Sequence, residues 1–301
     1  MSEFVWGPLM AIYLFLGGLA GGAYLISALV DLFKGEDYEV LSKSGALVST
    51  VAVIASVVVL LAEIKRFMVE PLSFLNAFRQ FPGSMISVGT WILTSLLIIS
   101  VVTVILAFFG GNWLIRKIVD VVGIVLSLGT VAYTGLVLSY CRGIPFWSSP
   151  FLPALFTVSG ILTGLTMAML MIPVAAYIMP KALNSFWELY ERKASYVGMI
   201  GQVEKYCQIL TVVEIVLLAL YIGTTPTTGI LLTGSSVSLL FYAYIALGLL
   251  LPLGIGYLNS KMEHQGKDMM IVLSAMIGQV LVLLGGFILR YVVLIGGQLI
   301  H

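Results

Sequence analysis

The stretch Leu9–Leu29, LMAIYLFLGGLAGGAYLISAL, runs for twenty-one residues without a charge. The hydrocarbon core of a bilayer takes about 20 apolar residues of helix to cross, so this stretch reads as a membrane span. Its glycines Gly17, Gly18, Gly21 and Gly22 form two overlapping GxxxG pairs. Such pairs let helix backbones approach closely in lipid. They lie inside a helix rather than after a strand, so they do not read as a nucleotide-binding loop.

The rest of the chain extends that reading. Of its 301 residues, 60% are hydrophobic and 10% are charged, against about a quarter charged in an ordinary soluble domain. The mean hydropathy is +1.10. Seven further apolar runs follow the first: Ala46–Ile64, Met85–Phe109, Ile118–Tyr140, Leu152–Met179, Met199–Ile222, Val237–Leu258 and Met270–Gly296. The expected fold is therefore an all-α integral membrane protein with eight transmembrane helices. The opening Met1–Trp6 carries Glu3 and no basic residue, so it does not read as a cleavable leader and the first run is expected to stay as a span.

The loops predict an orientation. If the N-terminal side is side A, then Lys65, Arg66, Arg79 and Arg142 fall on side A. Lys34, Lys43, Arg116, Lys117, Lys181, Arg192, Lys193, Lys205, Lys261 and Lys267 fall on side B. The excess of basic residues marks side B as cytoplasmic. The protein is thus expected in the cell membrane with both termini outside.

Several function classes drop out. A net charge of +1, with no clustered basic face, excludes a nucleic-acid binder. Cys141 and Cys207 are far apart, in no ligand-like spacing, so no Fe–S cluster or zinc site is expected from this sequence. His264 and His301 both fall outside the runs, where they cannot ligate a haem inside the bundle, so no haem is expected either. Neither a Ser/His/Asp set nor a phosphate-binding loop is present.

The charges left inside the runs are the candidates for function, because each costs about 2.5–3.5 kcal/mol on insertion scales. Asp120, Glu204 and Lys205 sit close to side B, where snorkelling accounts for them. Glu63, Glu214 and Arg290 are harder to dismiss. By depth, Tyr13, Glu63, Tyr133, Tyr140 and Arg290 share one layer near side A, where Glu63 and Arg290 make a natural pair. Two readings of Tyr13 and Tyr133 stand. They belong to an interfacial aromatic belt, or they present hydroxyls to a ligand in an apolar pocket.

Five pieces carry a resemblance: YLFLGGLAGGAYLI at Tyr13–Ile26, LLAEIKRF at Leu60–Phe67, AYTGLVLS at Ala132–Ser139, PFWSSPFLPALFTVSGILTG at Pro145–Gly164 and LRYVVLIGGQ at Leu289–Gln298. In this order over eight spans the sequence resembles the NrfD family, the membrane subunits of polysulfide reductase and its relatives. The resemblance implies one multi-pass domain over residues 1–301, with residues 1–145 and 146–301 as two four-helix halves. It implies a quinone, menaquinone or ubiquinone, bound near the outer face, and a subunit not catalytic alone. It also implies a ferredoxin-like Fe–S partner subunit and a molybdopterin catalytic subunit beyond it. Matched residue by residue, it places quinone contact at Tyr133, the acidic residue ending the second span at Glu63, and the arginine of the last span at Arg290. Where relatives have a histidine in the first span, and an asparagine one turn earlier, this sequence has Tyr13 and Leu9. Glu214 would extend a proton path inward. A different class, a secondary transporter or ion-translocating subunit, is suggested by Glu204, Lys205 and Glu214 on one span and by Pro173 and Pro252 inside two others.

Overall fold

The computed structural model describes residues 6–34, 38–63, 76–141, 143–174, 193–232, 236–262 and 268–299. Every regular element among them is helical. Eight helices are long and apolar enough to cross a membrane: α1 (Pro8–Phe33), α2 (Glu39–Ala62), α3 (Met85–Phe109), α4 (Trp113–Ser139), α5 (Phe151–Val174), α6 (Tyr196–Thr224), α7 (Val237–Met262) and α8 (Asp268–Leu299). The expected all-α membrane fold with eight spans is what is found.

Local chemistry sets several helix ends. Pro8 opens α1 at the first helical position, where its missing N–H costs nothing. Asn112 caps α4 by accepting from the Leu114 N–H at 2.9 Å. Gly110, at φ 79°, takes the left-handed turn that ends α3 and that a side chain would resist. α2 starts well before the expected Ala46. Its added turn carries the Glu39–Lys43 ion pair at 2.8 Å, and Ser27 and Ser42 exchange hydroxyl-to-carbonyl bonds of 2.7 and 3.1 Å across α1 and α2. Polar residues at a helix end thus hide a helix from a count of apolar runs.

Burial ranks the helices. The most apolar window of α1 is 72% buried, against 22% for α3 and for α6. So α1 runs through the middle, while α3 and α6 show their sides to lipid. Large apolar side chains accordingly point outward, among them Ile98, Val125, Ile209 and Leu239. The interior holds many hydroxyls, the amides of Asn259, Gln279 and Gln298, and the charges of Asp120, Glu214 and Arg290, all of which hydrocarbon would penalise.

Glycines let α1 occupy that centre. A Cβ on Gly22 would stand 2.1 Å from the Gly160 carbonyl oxygen of α5, and one on Gly164 would stand 2.2 Å from the Ala23 nitrogen. A Cβ on Gly21 would stand 2.9 Å from the Ser127 carbonyl oxygen of α4, and one on Gly45 of α2 the same distance from the Ala23 carbonyl oxygen. The GxxxG reading of close packing holds, and Gly160 and Gly164 supply the matching pair on α5. In lipid, where apolar surface alone does not drive helices together, such contact is the main source of association.

The two ends of the described residues meet on side A. The Trp6 ring stacks on Trp147 at 5.4 Å. Its backbone exchanges bonds of 3.0 and 3.1 Å with the Gln298 amide at the end of α8. Trp147 in turn donates to the Val293 carbonyl at 2.8 Å. An even number of spans requires the two ends to share a side, and these contacts pin them together.

One helix is irregular in mid-membrane. Residues Tyr244–Leu250 of α7 form a wide π-helical turn just before Pro252, whose ring nitrogen has no hydrogen to donate. π turns inside α-helices recur at functional sites. Pro173, by contrast, lies in the last turn of α5.

Substitutions should separate contact from mere helix propensity. Gly22→Ala is expected to cost at least about 1–3 kcal/mol, as overpacking does. Gly254→Ala, on α7 with open space around the position, should be neutral or slightly stabilising. Thermal unfolding of the two purified variants in detergent checks this. Equal melting temperatures would contradict the packing account.

Candidate functional site

Two clusters of polar groups lie buried toward side A. Distance along the helices places them. Tyr13 is five residues inside α1 and Tyr133 six residues inside α4, so both are about 8–9 Å deep at 1.5 Å per residue. Arg290 is nine residues inside α8 and Glu214 ten inside α6, which makes them about 14–15 Å deep.

The shallower cluster is the tyrosine pair. Tyr13 is 3% exposed and Tyr133 4%, so neither belongs to an aromatic belt, which must reach the interface. Tyr140, more than half exposed at the end of α4, is placed as a belt residue would be. The side chains of Tyr13 and Tyr133 lie close enough for their hydroxyls to interact. Gly89 on α3 makes the room, since a Cβ there would stand 2.0 Å from the Tyr133 ring. The other fully buried tyrosines each donate to a fixed acceptor: Tyr24 shares a bond with Thr103, Tyr221 donates to the Phe146 carbonyl and Tyr244 to Glu214. Tyr13 and Tyr133 have only one another among the described residues. Two phenols carry two O–H donors, and a bond between them can use only one. The pair therefore keeps one donor for something else.

The deeper cluster is built on Arg290, which is fully buried. Its Nε donates to the Leu14 carbonyl of α1 at 3.2 Å. Its Nη1 donates to the Gly286 carbonyl at 2.7 Å and to Ser159 Oγ at 3.3 Å. The rings of Phe15 and Phe156 flank the guanidinium at 5.7 and 5.3 Å, where their π faces attract a cation. The Nη2 group lies against Gly18, where a Cβ would stand 2.6 Å away, and it has no hydrogen-bond partner among the described residues. The glycine motif of α1 thus does two jobs: Gly21 and Gly22 admit neighbouring helices and Gly18 admits a guanidinium.

The charge facing Arg290 is Glu214. Glu214 is 2% exposed. It accepts from the Tyr244 hydroxyl at 2.8 Å and lies beside Ser159, whose hydroxyl accepts from Arg290, so Ser159 stands next to both charges. The π turn of α7 begins at Tyr244. The expected partner of Arg290 was Glu63. That residue ends the second helix, and its side chain lies outside the described residues, as do His264 and His301. The structure brings together Tyr13 with Tyr133 and Arg290 with Glu214. Leu14, next to Tyr13, links the two clusters through its carbonyl. Reading by depth missed Ser159, Tyr244, Phe15, Phe156 and Gly89. Only Gly18, inside the glycine motif, carried a signal.

Asp120 needs a correction. It was expected to snorkel to side B, yet it is 1% exposed and points into the bundle toward α1. A residue seven positions inside a helix starts about 10 Å from its end, too far for the short stem of an aspartate to reach water.

A cavity of about 440 Å³ opens between α1, α2, α5 and α8, walled by Phe15, Leu19, Val48, Ala52, Met167 and Leu283 among others. Ser44, the hydroxyl in its wall, is already bonded to the Ala168 carbonyl at 2.6 Å. This space suits hydrocarbon and offers nothing to a polar headgroup.

Arg290→Met should leave Glu214 buried without its counter-charge, at a cost of about 3–5 kcal/mol. Adding Glu214→Gln to Arg290→Met should cost much less than Glu214→Gln alone, because the two groups act as one unit. A double-mutant cycle on thermal unfolding reads the coupling, and additive losses would contradict the pair.

The family described as "Polysulphide reductase, NrfD" matches residues 1–301. The C subunit of polysulfide reductase from Wolinella succinogenes is 27% identical over 98% of this sequence and 94% of its own length. Protein NrfD of Escherichia coli is 26% identical over 56% of this sequence and 60% of its own length. A NrfD homologue of Haemophilus influenzae is 24% identical over 98% and 95%. The eight apolar spans and the whole-length match agree: this protein belongs to the polysulfide reductase NrfD family, the multi-pass membrane subunits of oxidoreductases.

Proposed function

We propose that this protein exchanges electrons between the membrane quinone pool and an Fe–S partner subunit on the outer face. The observation that carries the reading is the tyrosine pair. It is buried, it sits about one and a half turns inside side A, and it has an O–H donor to spare. A quinol supplies two electrons and two protons when it is oxidised. The protein's own residues have the remaining tasks. Tyr13 and Tyr133 hold a carbonyl or hydroxyl oxygen by hydrogen bonds in an apolar wall. Glu63, at the side-A end of α2, takes up the released proton near water. Arg290 fixes the carbonyl of Leu14, and with it the turn of α1 that bears Tyr13.

Glu214, held by Tyr244, Ser159 and Arg290, acts first as counter-ion to Arg290. A proton path through it would have to break those bonds. Electrons leave through the partner, because Cys141 stands just beyond the side-A end of α4 while Cys207 lies eleven residues inside α6, in no ligand-like spacing, and neither histidine falls in a span. The partners are a ferredoxin-like Fe–S subunit and, beyond it, a molybdopterin catalytic subunit. The quinone is a menaquinone or a ubiquinone. The two four-helix halves, residues 1–145 and 146–301, divide the work. The tyrosine pair belongs to the first half and most of the Arg290 cluster to the second. Broken helices in matching halves would favour a transporter. Here α7 is irregular while α3 runs unbroken from Met85 to Phe109.

Tyr133→Phe removes one hydrogen bond of about 1 kcal/mol, which is roughly fivefold in affinity or rate. Quinol-linked reductase activity in membranes should fall by that factor or more, and Glu63→Gln should lower it further. Full rates in both variants would sink this site. Orientation has its own check. Alkaline phosphatase fused after the last residue should be active if side A is outside, and inactive if the loop charges of side B have been misread.

A further inference from the structure

The side-B end of the first four helices holds groups that no step above uses. Asp120 on α4 is 1% exposed, and its Oδ2 finds no N–H or O–H donor among the described residues. Beside it stands Asp31 of α1, near enough for the two carboxyls to interact directly. Arg116, one helical turn before Asp120, donates through Nη2 to Asp31. The Tyr24 hydroxyl lies 2.7 Å from Thr103 Oγ1 and 3.4 Å from the Val119 carbonyl, close enough to feel both carboxyls. Gly123 makes room for it, since a Cβ there would stand 2.1 Å from the Tyr24 ring. The charged and titratable groups facing Asp120 are thus Asp31 and Tyr24 from α1 and Arg116 from its own helix, with the Thr103 hydroxyl from α3.

These contacts do not balance. Two ionised carboxylates side by side repel, and neither can donate a hydrogen bond to the other. Arg116 supplies one positive charge against two negative ones. A proton corrects both faults. It neutralises the surplus charge that the interior would penalise, and it gives the orphaned oxygen its partner. We propose that Asp31 and Asp120 share one proton, forming a single-proton binding site at the end of the bundle opposite the tyrosine pair. Access is graded. The side chains of Arg116 and Asp31 are 32% and 16% exposed, so the proton enters from side-B water by way of Asp31 and settles against Asp120.

The site is a store and not a wire. The buried hydroxyls above it, Ser100, Ser127, Thr130 and Thr134, each donate to a carbonyl of their own helix. None hands a proton toward Tyr13 or Tyr133 among the described residues. The site therefore exchanges with one side of the membrane only, and it stands whether or not quinone binds at the tyrosines.

Dicyclohexylcarbodiimide tests it, because this apolar reagent attacks carboxyls that carry a proton in an apolar setting. The acid proton passes to a carbodiimide nitrogen as the carboxyl oxygen bonds its central carbon. The full-length protein in detergent is treated at pH 7 and mapped by peptide mass. The expected result is one adduct per molecule on the peptides holding Asp31 or Asp120, lost as the pH is raised and unchanged by added sodium chloride. In Asp120→Asn the amide donates what the proton did, so labelling at Asp31 should vanish. No adduct in the folded wild-type protein would overturn the proposal. So would protection by sodium, which would make this a metal-cation site, or an adduct on Asp31 that persists in Asp120→Asn.

Discussion

The guanidinium of Arg290 is the interaction on which the arrangement of the helices depends. A charge buried about 14 Å inside a membrane bundle must meet its demands from protein alone. It meets them from four helices at once: the Leu14 carbonyl of α1, Ser159 of α5, the facing charge of Glu214 on α6, and the Gly286 carbonyl of its own α8. Any shift of α8 along α1 would strand at least one of these groups. The glycines of α1 follow from the same demand. Gly18 cannot carry a side chain because the guanidinium occupies its space. Gly22 cannot, because α5 must come close enough to offer Ser159.

That geometry explains why the tyrosine pair sits where it does. Tyr13 is one residue before Leu14, whose carbonyl Arg290 holds, and Ser56 of α2 donates to the Tyr13 carbonyl at 3.4 Å. The backbone of α1 is thus tied on both sides at the turn that bears Tyr13. Tyr133 arrives from α4 through the gap at Gly89. A hydroxyl pair fixed by backbone ties and ring packing loses little entropy when it meets a ligand. The tyrosine layer therefore rests on the Arg290 layer beneath it.

Much of this was legible in the sequence, and the misses have physical causes. The span count was legible because lipid demands about twenty apolar residues each time. The beginning of α2 was not, since Glu39–Gly45 mixes polar and apolar residues where an ion pair and serine bonds replace lipid contact. Depth put Tyr13 and Tyr133 in one layer but could not tell burial from an interfacial belt, because depth says nothing about which way a helix faces. Arg290 stood out as a charge inside a span. Its relation to Glu214 did not, because the two lie on helices whose adjacency no spacing reveals. Asp120 was misjudged for the same reason: nearness to an end was taken for access to water, whereas access depends on the face.

The contrast between Arg290 and Asp120 shows how a membrane bundle handles charge in two ways. Arg290 leaves its Nη2 without a partner among the described residues, but a facing carboxylate, three fixed acceptors and two aromatic rings answer its charge. Asp120 is answered incompletely, with one carboxyl oxygen lacking a donor and only one arginine for two acids among the described residues. A charge matched by a facing counter-charge holds its state, and it suits a structural task. An incompletely answered one takes its missing partner from solution, and its state follows the medium. The first kind lies beneath the tyrosines at side A. The second lies at side B, within reach of water through Asp31. The bundle is thus held by fixed contacts beneath the tyrosine pair, and open to exchange of a proton at the opposite face.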